Sequence, residues 1–504
     1  MKNLYNQNLI KKIKILKSKK KKIVLCHGVF DLVHIGHLSH FRSAKNLGDF
    51  LIVSLTRSKF IKKGPGRPLF NDEERYSFLK QISIIDEVIF SEVPSSIDVL
   101  EMIKPDFYVK GPDYKNNLDD KTKKIYLEKK IVKKFGGKIA YTDDQTFSSS
   151  NIINSQNLIF NNVQSKFLSN LKKKYSYSDI WNILKKFKKL KILVIGELII
   201  DKYCFGDVIG KAGKEPHLVL NEKFTEYYLG GSAAIARHLS TFVKSIGIIS
   251  PFGKESNYSR LISKTFNSNI KKIFFKPYNN FKTITKTRLV DIISNYKLFG
   301  SYILPTQNYS LFENKVSKLI KSKIKNVDMI IICDYGHHFI SNKIAKTIGN
   351  LRKFISLNAQ TNASNIGYHT INKYSNINLL VINESELRQE MRDNISNIEI
   401  LSKKLIKEKK IKNLVVTQGK NGVLMIDNKF KKTFCPAFAK NTIDKVGAGD
   451  AMLAMTSLSI KMGLDPDLTL LLGSLAAANS VETIGNKGNI SLEKISRSLE
   501  YILK

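Results

Sequence analysis

The sequence predicts an α/β protein made of two doubly wound parallel-sheet domains. Three observations predict it. Short apolar runs alternate with helix-like stretches along nearly the whole chain, the pattern of βα units around a parallel sheet. Two glycine-bearing turns, one near residue 30 and one near residue 447, each sit between a strand-like run and a helix-like run. A chain of 504 residues also exceeds what one core normally serves.

The elements follow in order. Ile23 to Cys26 reads as a buried strand, His37 to Leu47 as a helix and Phe50 to Leu55 as a second strand. Asp72 to Gln81 suits a helix with Asn71 as its N-cap. Glu87 to Phe90 and Phe107 to Val109 suit further strands, and the Gly136-Gly137 turn enters another that runs to Tyr141. These make a first domain, 1–155. Residues 156–188 are polar and lysine-rich around Trp181 and read as a helical linker. A second domain, 189–504, opens on the strand Ile192 to Ile195. Met329 to Cys333, Leu379 to Ile382 and Leu414 to Thr417 are further strand candidates. Between Phe205 and Leu229 short extended runs are broken by Gly and Pro, which predicts a small β lid. No internal repeat is present.

Composition narrows the function. Lys and Arg number 83 against 43 Asp and Glu, a formal charge of +40. The excess is mostly lysine, spread evenly and accompanied by Asn and Ile. It reads as a compositional bias and not as a nucleic-acid-binding stripe, although a basic surface attracts anionic substrates. Cys26, Cys204, Cys333 and Cys435 lack metal-ligand or redox spacing, so free thiols in a reducing cytoplasm are expected. No apolar run approaches the ~18 residues of a membrane span. The basic N-terminus has no adjacent apolar core, so no export signal is expected.

His34-Ile35-Gly36-His37 follows the first strand through Gly28-Val29-Phe30-Asp31. Ligands of doubly wound sheets bind beyond the strand C-termini, where the next helix offers N–H groups to phosphate. Gly28 and Gly36 permit close backbone approach. His34 and His37, three apart, can both face a triphosphate as donors to the transferring phosphate and departing pyrophosphate. The bland alternative is a pair of surface or capping histidines. These residues resemble the HxGH nucleotidyltransferases. Lys62 to Pro68, Glu74-Arg75, Val109 to Tyr114 and Ser148 to Ile153 look like the adenylyltransferase domain of bifunctional heptose enzymes of lipopolysaccharide synthesis. The resemblance implies that Phe30, Asp31, Lys63 and Arg75 belong to the nucleotide and phosphate site. It implies the same for Ser148, Ser149 and Ser150, where relatives carry Ser-Thr-Thr. A substrate phosphate is already an ionised nucleophile, so no general base is assigned.

Gly447-Ala448-Gly449-Asp450 opens an apolar helix, Met452 to Met462. Small residues let backbone N–H groups converge on a transferring phosphoryl, and Asp450 can accept the proton of a substrate hydroxyl. The bland alternative is a glycine-rich helix cap. From about 190 to 504 the chain resembles ribokinase-like sugar kinases. That resemblance implies sugar contacts for Asp201, Gly230 and Gly231. It implies an Asn383/Glu386 element that organises Mg²⁺ and phosphate, with Glu386 acting indirectly on the metal. Thr417 and Gly419 would line the nucleotide turn and Asn479 the adenine side. Four departures are visible. Glu197 replaces an Asp, Ala234 replaces an Asn, Leu357 to Gln360 replace Asp-Pro-Lys-Gly, and Gly213 to His217 differ in the lid. Domain order is also the reverse of the familiar heptose enzymes.

The expected protein is a cytoplasmic bifunctional transferase of activated-sugar synthesis. It would use ATP for phosphorylation, ATP or CTP for nucleotidyl transfer, and Mg²⁺. No specific nucleic acid or membrane partner is expected. A homodimer is compatible with the sequence, which sets no oligomeric state. The competing expectations are a transferase with a non-catalytic sugar-binding kinase-like module and, more remotely, a basic nucleic-acid-binding protein.

Overall fold

Alternating side chains on the first strands cover both faces of a five-stranded sheet. The computed structural model describes residues 2–61, 67–111, 124–142, 160–307, 309–439 and 442–503. The chain divides into two units, Met1–Asn162 and Val163–Leu503.

In the first unit the strands are β1 (Ile23–Gly28), β2 (Phe50–Thr56), β3 (Glu87–Ser91), β4 (Phe107–Lys110) and β5 (Lys138–Tyr141). Their order is β3-β2-β1-β4-β5 and every pairing is parallel. Ile23, Leu25, Ile52 and Tyr108 pack on one face with Val99, Leu100, Leu9 and Ile13. Val24, Cys26, Leu51 and Val53 pack on the other with Phe41 and Leu79. Burial on both faces explains the unbroken apolar runs. Leu9 and Ile13 belong to a helix, Lys2–Ser18, which the lysine-rich sequence concealed. The predicted helix at Asp72 is present, and Asn71 caps it in a reciprocal box with Glu74. The strand order reverses between β1 and β4, so the ligand crevice is expected at the end of β1.

The second unit holds a nine-stranded sheet. It comprises β6 (Lys191–Gly196), β9 (Ser245–Pro251), β10 (Ile270–Phe275), β13 (Met329–Asp334), β14 (Phe354–Ala359), β15 (Leu379–Asn383), β16 (Asn413–Thr417), β17 (Val423–Asp427) and β18 (Lys432–Cys435). The order is β10-β9-β6-β13-β14-β15-β16-β17-β18. This sheet is not wholly parallel as predicted. β17 and β18 run antiparallel to their neighbours, because the tight turns at Gln418–Gly422 and Asp427–Lys431 can join only antiparallel strands.

The lid is larger than the predicted Phe205–Leu229 segment. It is a four-stranded sheet of β7 (Leu198–Lys211), β8 (Leu218–Gly231), β11 (Ile284–Asp291) and β12 (Lys297–Ile303), in the order β12-β11-β7-β8. The expected linker forms two helices, Asn162–Lys174 and Tyr177–Lys186, that pack within the second unit. Leu168, Leu171, Ile180 and Leu184 are buried there, and Tyr177 Oη lies 2.6 Å from Ser496 Oγ.

Candidate active sites

β1 delivers the chain to the helix Ile35–Lys45, and His34 is that helix's N-cap. His34 Nδ1 accepts a hydrogen bond from Gly36 N at 3.1 Å. His37 Nδ1 accepts one from His34 N at 3.4 Å. The two rings lie 4.1 Å apart between centroids. An Nδ1 that accepts a backbone N–H cannot carry the proton, so the neutral ring bears it on Nε2. Burial lowers the pKa of His34, which favours that neutral form. Capping and phosphate donation are therefore compatible: the cap uses Nδ1 and sets Nε2–H as the donor.

Three residues expected at the phosphate site have partners within the protein. The Phe30 ring packs against His37 at 5.5 Å and lies over Gly28, where an added Cβ would meet it at 2.9 Å. The buried Asp31 carboxylate pairs with Arg67 at 2.7 Å and accepts from Leu69 N and Phe70 N. Arg75 is only 2% exposed. Its terminal nitrogens donate to Val29 O, Thr56 O, Ser58 Oγ and Asp72. These groups shape the loops around the histidines. Arg67 was quoted only within a motif, and its ion pair has no signature in sequence. Lys63, Ser148, Ser149 and Ser150 lie outside the described residues.

In the second unit Gly447 stands at φ 87° before the helix Ala448–Lys461. A side chain there would clash with Asn486 Oδ1 at 2.3 Å, whereas Gly449 opens into free space. Asp450 is buried and accepts a 2.8 Å hydrogen bond from Tyr335 Oη. Burial pushes its pKa up to about 7, against the pull of that hydrogen bond, and Asp201 adds to the rise. The geometry thus yields a carboxyl poised near neutrality beside a helix N-terminus.

Asp201 Oδ1 accepts from Arg288 at 2.7 Å and Oδ2 from Asn486 Nδ2 at 2.9 Å. Gly230 must be glycine because a Cβ would lie 2.3 Å from Asp201 Oδ2. Gly231 has φ 59° and lies against Glu197 O. Lys286 is buried on β11, with its Nζ near the Tyr302 and Tyr335 rings. Asp201 and Asp450 both act on its charge.

Glu197 carries the added methylene to a purpose. It accepts from Tyr335 N at 3.0 Å and His337 N at 3.3 Å, so it holds the loop that presents Tyr335 to Asp450. Its pKa is raised by burial and by Asp334.

Asn383 and Glu386 form a reciprocal capping box. Glu386 Oε1 also accepts from Thr361 N, and burial lifts its pKa to about 7. Thr417 ends β16, and Gly419 follows at φ 57°. Asn479 turns its amide back onto Leu475 O. Ala234 is wholly buried in the helix Ser232–Ser240. Leu357 to Gln360 end β14, with Asn358 donating to Val381 O. Gly213 to His217 form the exposed hairpin tip between β7 and β8, roughly 40 Å along the strand from Asp201. Tyr335, Lys286, Arg288 and Asn486 were missed by sequence reasoning, because each is brought in by topology from outside the recognised motifs.

The comparisons with known proteins follow the two units. Residues 189–492 match the model of the pfkB family carbohydrate kinases, and residues 25–155 match the cytidylyltransferase-like model. "Bifunctional protein HldE" of Campylobacter fetus subsp. fetus is 27% identical over 306 residues, 59% of this chain and 64% of that protein. The HldE protein of Campylobacter jejuni subsp. doylei is 37% identical over 142 residues, 28% of each chain. The matched lengths of these relatives thus stay below two thirds. Phosphofructokinase-2 from Escherichia coli, solved with substrates and products, is 16% identical with a TM-score of 0.50, covering 63% of this chain and 100% of that one. That likeness shows the fold. With the kinase model spanning more than half of its residues, the chain belongs to the pfkB family of carbohydrate kinases and carries a cytidylyltransferase-like domain ahead of the kinase.

Proposed function

We propose that the protein is a bifunctional transferase of nucleotide-activated sugar synthesis. The second unit phosphorylates a sugar or sugar phosphate from ATP. The first transfers a nucleotidyl group from ATP or CTP to a sugar phosphate and releases pyrophosphate. The observation that carries the reading is Asp450, a buried carboxyl with a pKa near 7 in the first turn of a helix that Gly447 caps and Ala448-Gly449 open.

In the kinase step Asp450 takes the proton of the attacking hydroxyl, and Tyr335 fixes its orientation. Backbone N–H groups at Ala448 and Gly449 face the charge that builds on the transferred phosphoryl. Arg288, paired with Asp201, and the buried Lys286 border the acceptor half. In the transferase step Nε2–H of His34 and His37 stabilise the transferring phosphate and the pyrophosphate. The acceptor phosphate needs no base.

Among the described residues no group of three or more His, Cys, Asp or Glu is placed to hold a metal. Both oxygens of Glu386 already accept backbone N–H groups. Mg²⁺ would then be held mainly by the phosphates of the nucleotide, with Glu386 the residue of this chain that would act on it indirectly. Bound so, it would neutralise phosphate charge.

Among the described residues no helix is long and apolar enough to cross a membrane. A cytoplasmic location is part of the proposal. So is a homodimer formed through the lid, where all seven residues of β12 are exposed, Phe299 and Ile303 among them.

The acceptor is proposed to differ from heptose 7-phosphate, because Ala234 presents no amide to a sugar hydroxyl and Leu357 to Gln360 alter a strand end near Asp334. Mass spectrometry of products from ATP or CTP with a panel of sugars and sugar phosphates tests the whole reading. It fails if neither a phosphorylated nor a nucleotide-linked sugar forms. The acceptor claim fails if heptose 7-phosphate leads the panel.

A further inference from the structure

On the proposed kinase reading, we infer that Lys286 is a further catalytic residue, a lid-borne ammonium that neutralises the phosphoryl group as it reaches the acceptor hydroxyl. Lys286 is only 6% exposed. Among the described residues its ammonium forms no hydrogen bond and no ion pair. The ring centroids of Tyr302 and Tyr335 lie 5.4 and 5.9 Å from it. An unpaired charge taken out of water destabilises a fold, so this one calls for an anion that the protein does not supply.

Register places the ammonium. Lys286 on β11 stands opposite Asp201 on β7 and Tyr302 on β12, and side chains in register share a face of the sheet. Arg288, two residues on, shares that face and donates to Asp201 Oδ1 at 2.7 Å. Asn486 Nδ2 donates to the other oxygen at 2.9 Å. Asp201 is therefore satisfied without Lys286. The other nearby acids have partners too. Glu197 accepts from Tyr335 N and His337 N, and Asp450 accepts from Tyr335 Oη. Burial lowers the pKa of Lys286 and Arg288 adds to the fall, while Asp201, Glu197 and Asp450 favour the charged form through space.

The ammonium thus borders both the carboxylate assigned to the acceptor and the one assigned as base. The attacking hydroxyl must stand there, since Asp450 has to reach its proton. In the transfer that proton passes to Asp450 while the hydroxyl oxygen bonds the γ-phosphorus. The bond from that phosphorus to the bridging oxygen breaks, and ADP leaves with the electron pair. Lys286 keeps its own proton and opposes the charge on the phosphoryl oxygens, alongside the backbone N–H groups of Ala448 and Gly449.

Steady-state kinetics and thermal melting of the full chain test this. The substrates are ATP and whichever member of the sugar and sugar-phosphate panel turns over fastest. Lys286→Met keeps the length and removes the charge. It is expected to lower kcat by roughly 10²–10³-fold and to leave both KM values within about threefold of wild type. Its melting temperature should hold or rise, because an unpaired buried charge has gone. Lys286→Arg keeps the charge and should retain kcat to within about tenfold. A Lys286→Met chain with kcat near wild type overturns the inference. So does a raised acceptor KM at unchanged kcat, which would put the ammonium on a phosphate of the acceptor itself. A lowered melting temperature or failure to fold in Lys286→Met would make the residue structural and overturns it as well. A wild-type chain that phosphorylates no panel member removes the kinase reading, and Lys286 falls with it. An active wild type beside an equally active Lys286→Met removes the inference alone.

Discussion

In the proposed reactions the two candidate sites would meet phosphate with opposite chemistry. In the first unit the nearby carboxylate, Asp31, is neutralised by Arg67 and two backbone N–H groups, and the imidazoles beside it are held as donors. In the second, Asp450 is left with Tyr335 as its hydrogen-bond partner and its pKa rises to about 7. The difference follows from the nucleophile each reaction needs. A sugar phosphate attacks as an anion and requires charge stabilisation. A sugar hydroxyl must also lose a proton. One unit therefore buries its acid in an ion pair, and the other buries an acid that the proposed reaction would use as a base.

The sharpest break of this comparison is Asp450→Asn. It removes the proton acceptor and keeps the shape, so phosphorylation is expected to fall by roughly 10²–10⁴-fold, with pyrophosphate release unchanged. Coupled-assay rates for both reactions check it. Equal loss of both would mean that Asp450 maintains the fold and does no chemistry.

The reciprocal change is next in size. His34→Ala and His37→Ala should each lower pyrophosphate release by roughly 10²–10³-fold while sparing the kinase. His34 also caps its helix, so His34→Ala carries a stability cost of about 1 kcal/mol. His34→Asn separates the two roles, because an amide oxygen can still accept from Gly36 N. It should restore the melting temperature and leave activity low. If His34→Asn restored activity as well, the imidazole would be only a cap.

A smaller effect tests how Asp450 is tuned. The base must be ionised, so kinase turnover should rise with pH along a limb near 7. The Tyr335 hydrogen bond favours the ionised form, so Tyr335→Phe should move that limb to higher pH and lower the maximal rate by no more than roughly 10²-fold, within the weight of one hydrogen bond to a charged group, ~1.5–3 kcal/mol. The sign for stability is opposite to that of a salt-bridged carboxylate. A raised native pKa gives stability that is fully present below the unfolded value near 4 and lost as pH rises through about 7. Asp450→Asn should therefore gain melting temperature over wild type across that window and hold the gain above it. A limb that does not move in Tyr335→Phe would detach Tyr335 from the base.

Much of this was legible in the sequence, for physical reasons. Strands buried on both faces leave unbroken apolar runs, so β1, β2, β6 and β13 could be read almost to the residue. Gly230 and Gly447 were visible because close approach and positive φ exclude other side chains. What escaped was whatever depends on long-range pairing. The lid strands β11 and β12 carry charged and apolar residues together, β12 being exposed along its whole length, and the register of β11 with β7 and of β12 with β11 has no local signature. Arg75 was read as a phosphate ligand from its motif, but only the fold reveals four acceptors around a buried guanidinium. The same blindness hid Tyr335, which lies 115 residues before the Asp450 that it orients.

The smallest expected effect concerns the lid. Lys297 on β12 reaches Asp444 Oδ1 at 2.6 Å, three residues before Gly447. Burial raises the pKa of Asp444, but the bonds from Lys297, Val446 N and Gly485 N outweigh it and the net shift is downward. Asp444 Oδ2 also accepts from Tyr203 Oη on β7 at 3.0 Å. One carboxylate thus ties two lid strands to the turn that opens the catalytic helix. Lys297→Met would cut the exposed strand loose and leave the other three bonds in place. Lys297 is half-exposed, and pairs of that kind are worth under ~1 kcal/mol. The nest around Gly447 should keep its shape through Val446 N and Gly485 N, so kcat should hardly change. The lid should close less firmly, raising the acceptor KM by roughly two- to fivefold, the range that such an energy allows. Lys297→Arg should restore it, and high salt should weaken wild type toward the methionine variant. A fall in kcat with unchanged KM would place Lys297 in the chemistry of the second site and blur the contrast between the two units.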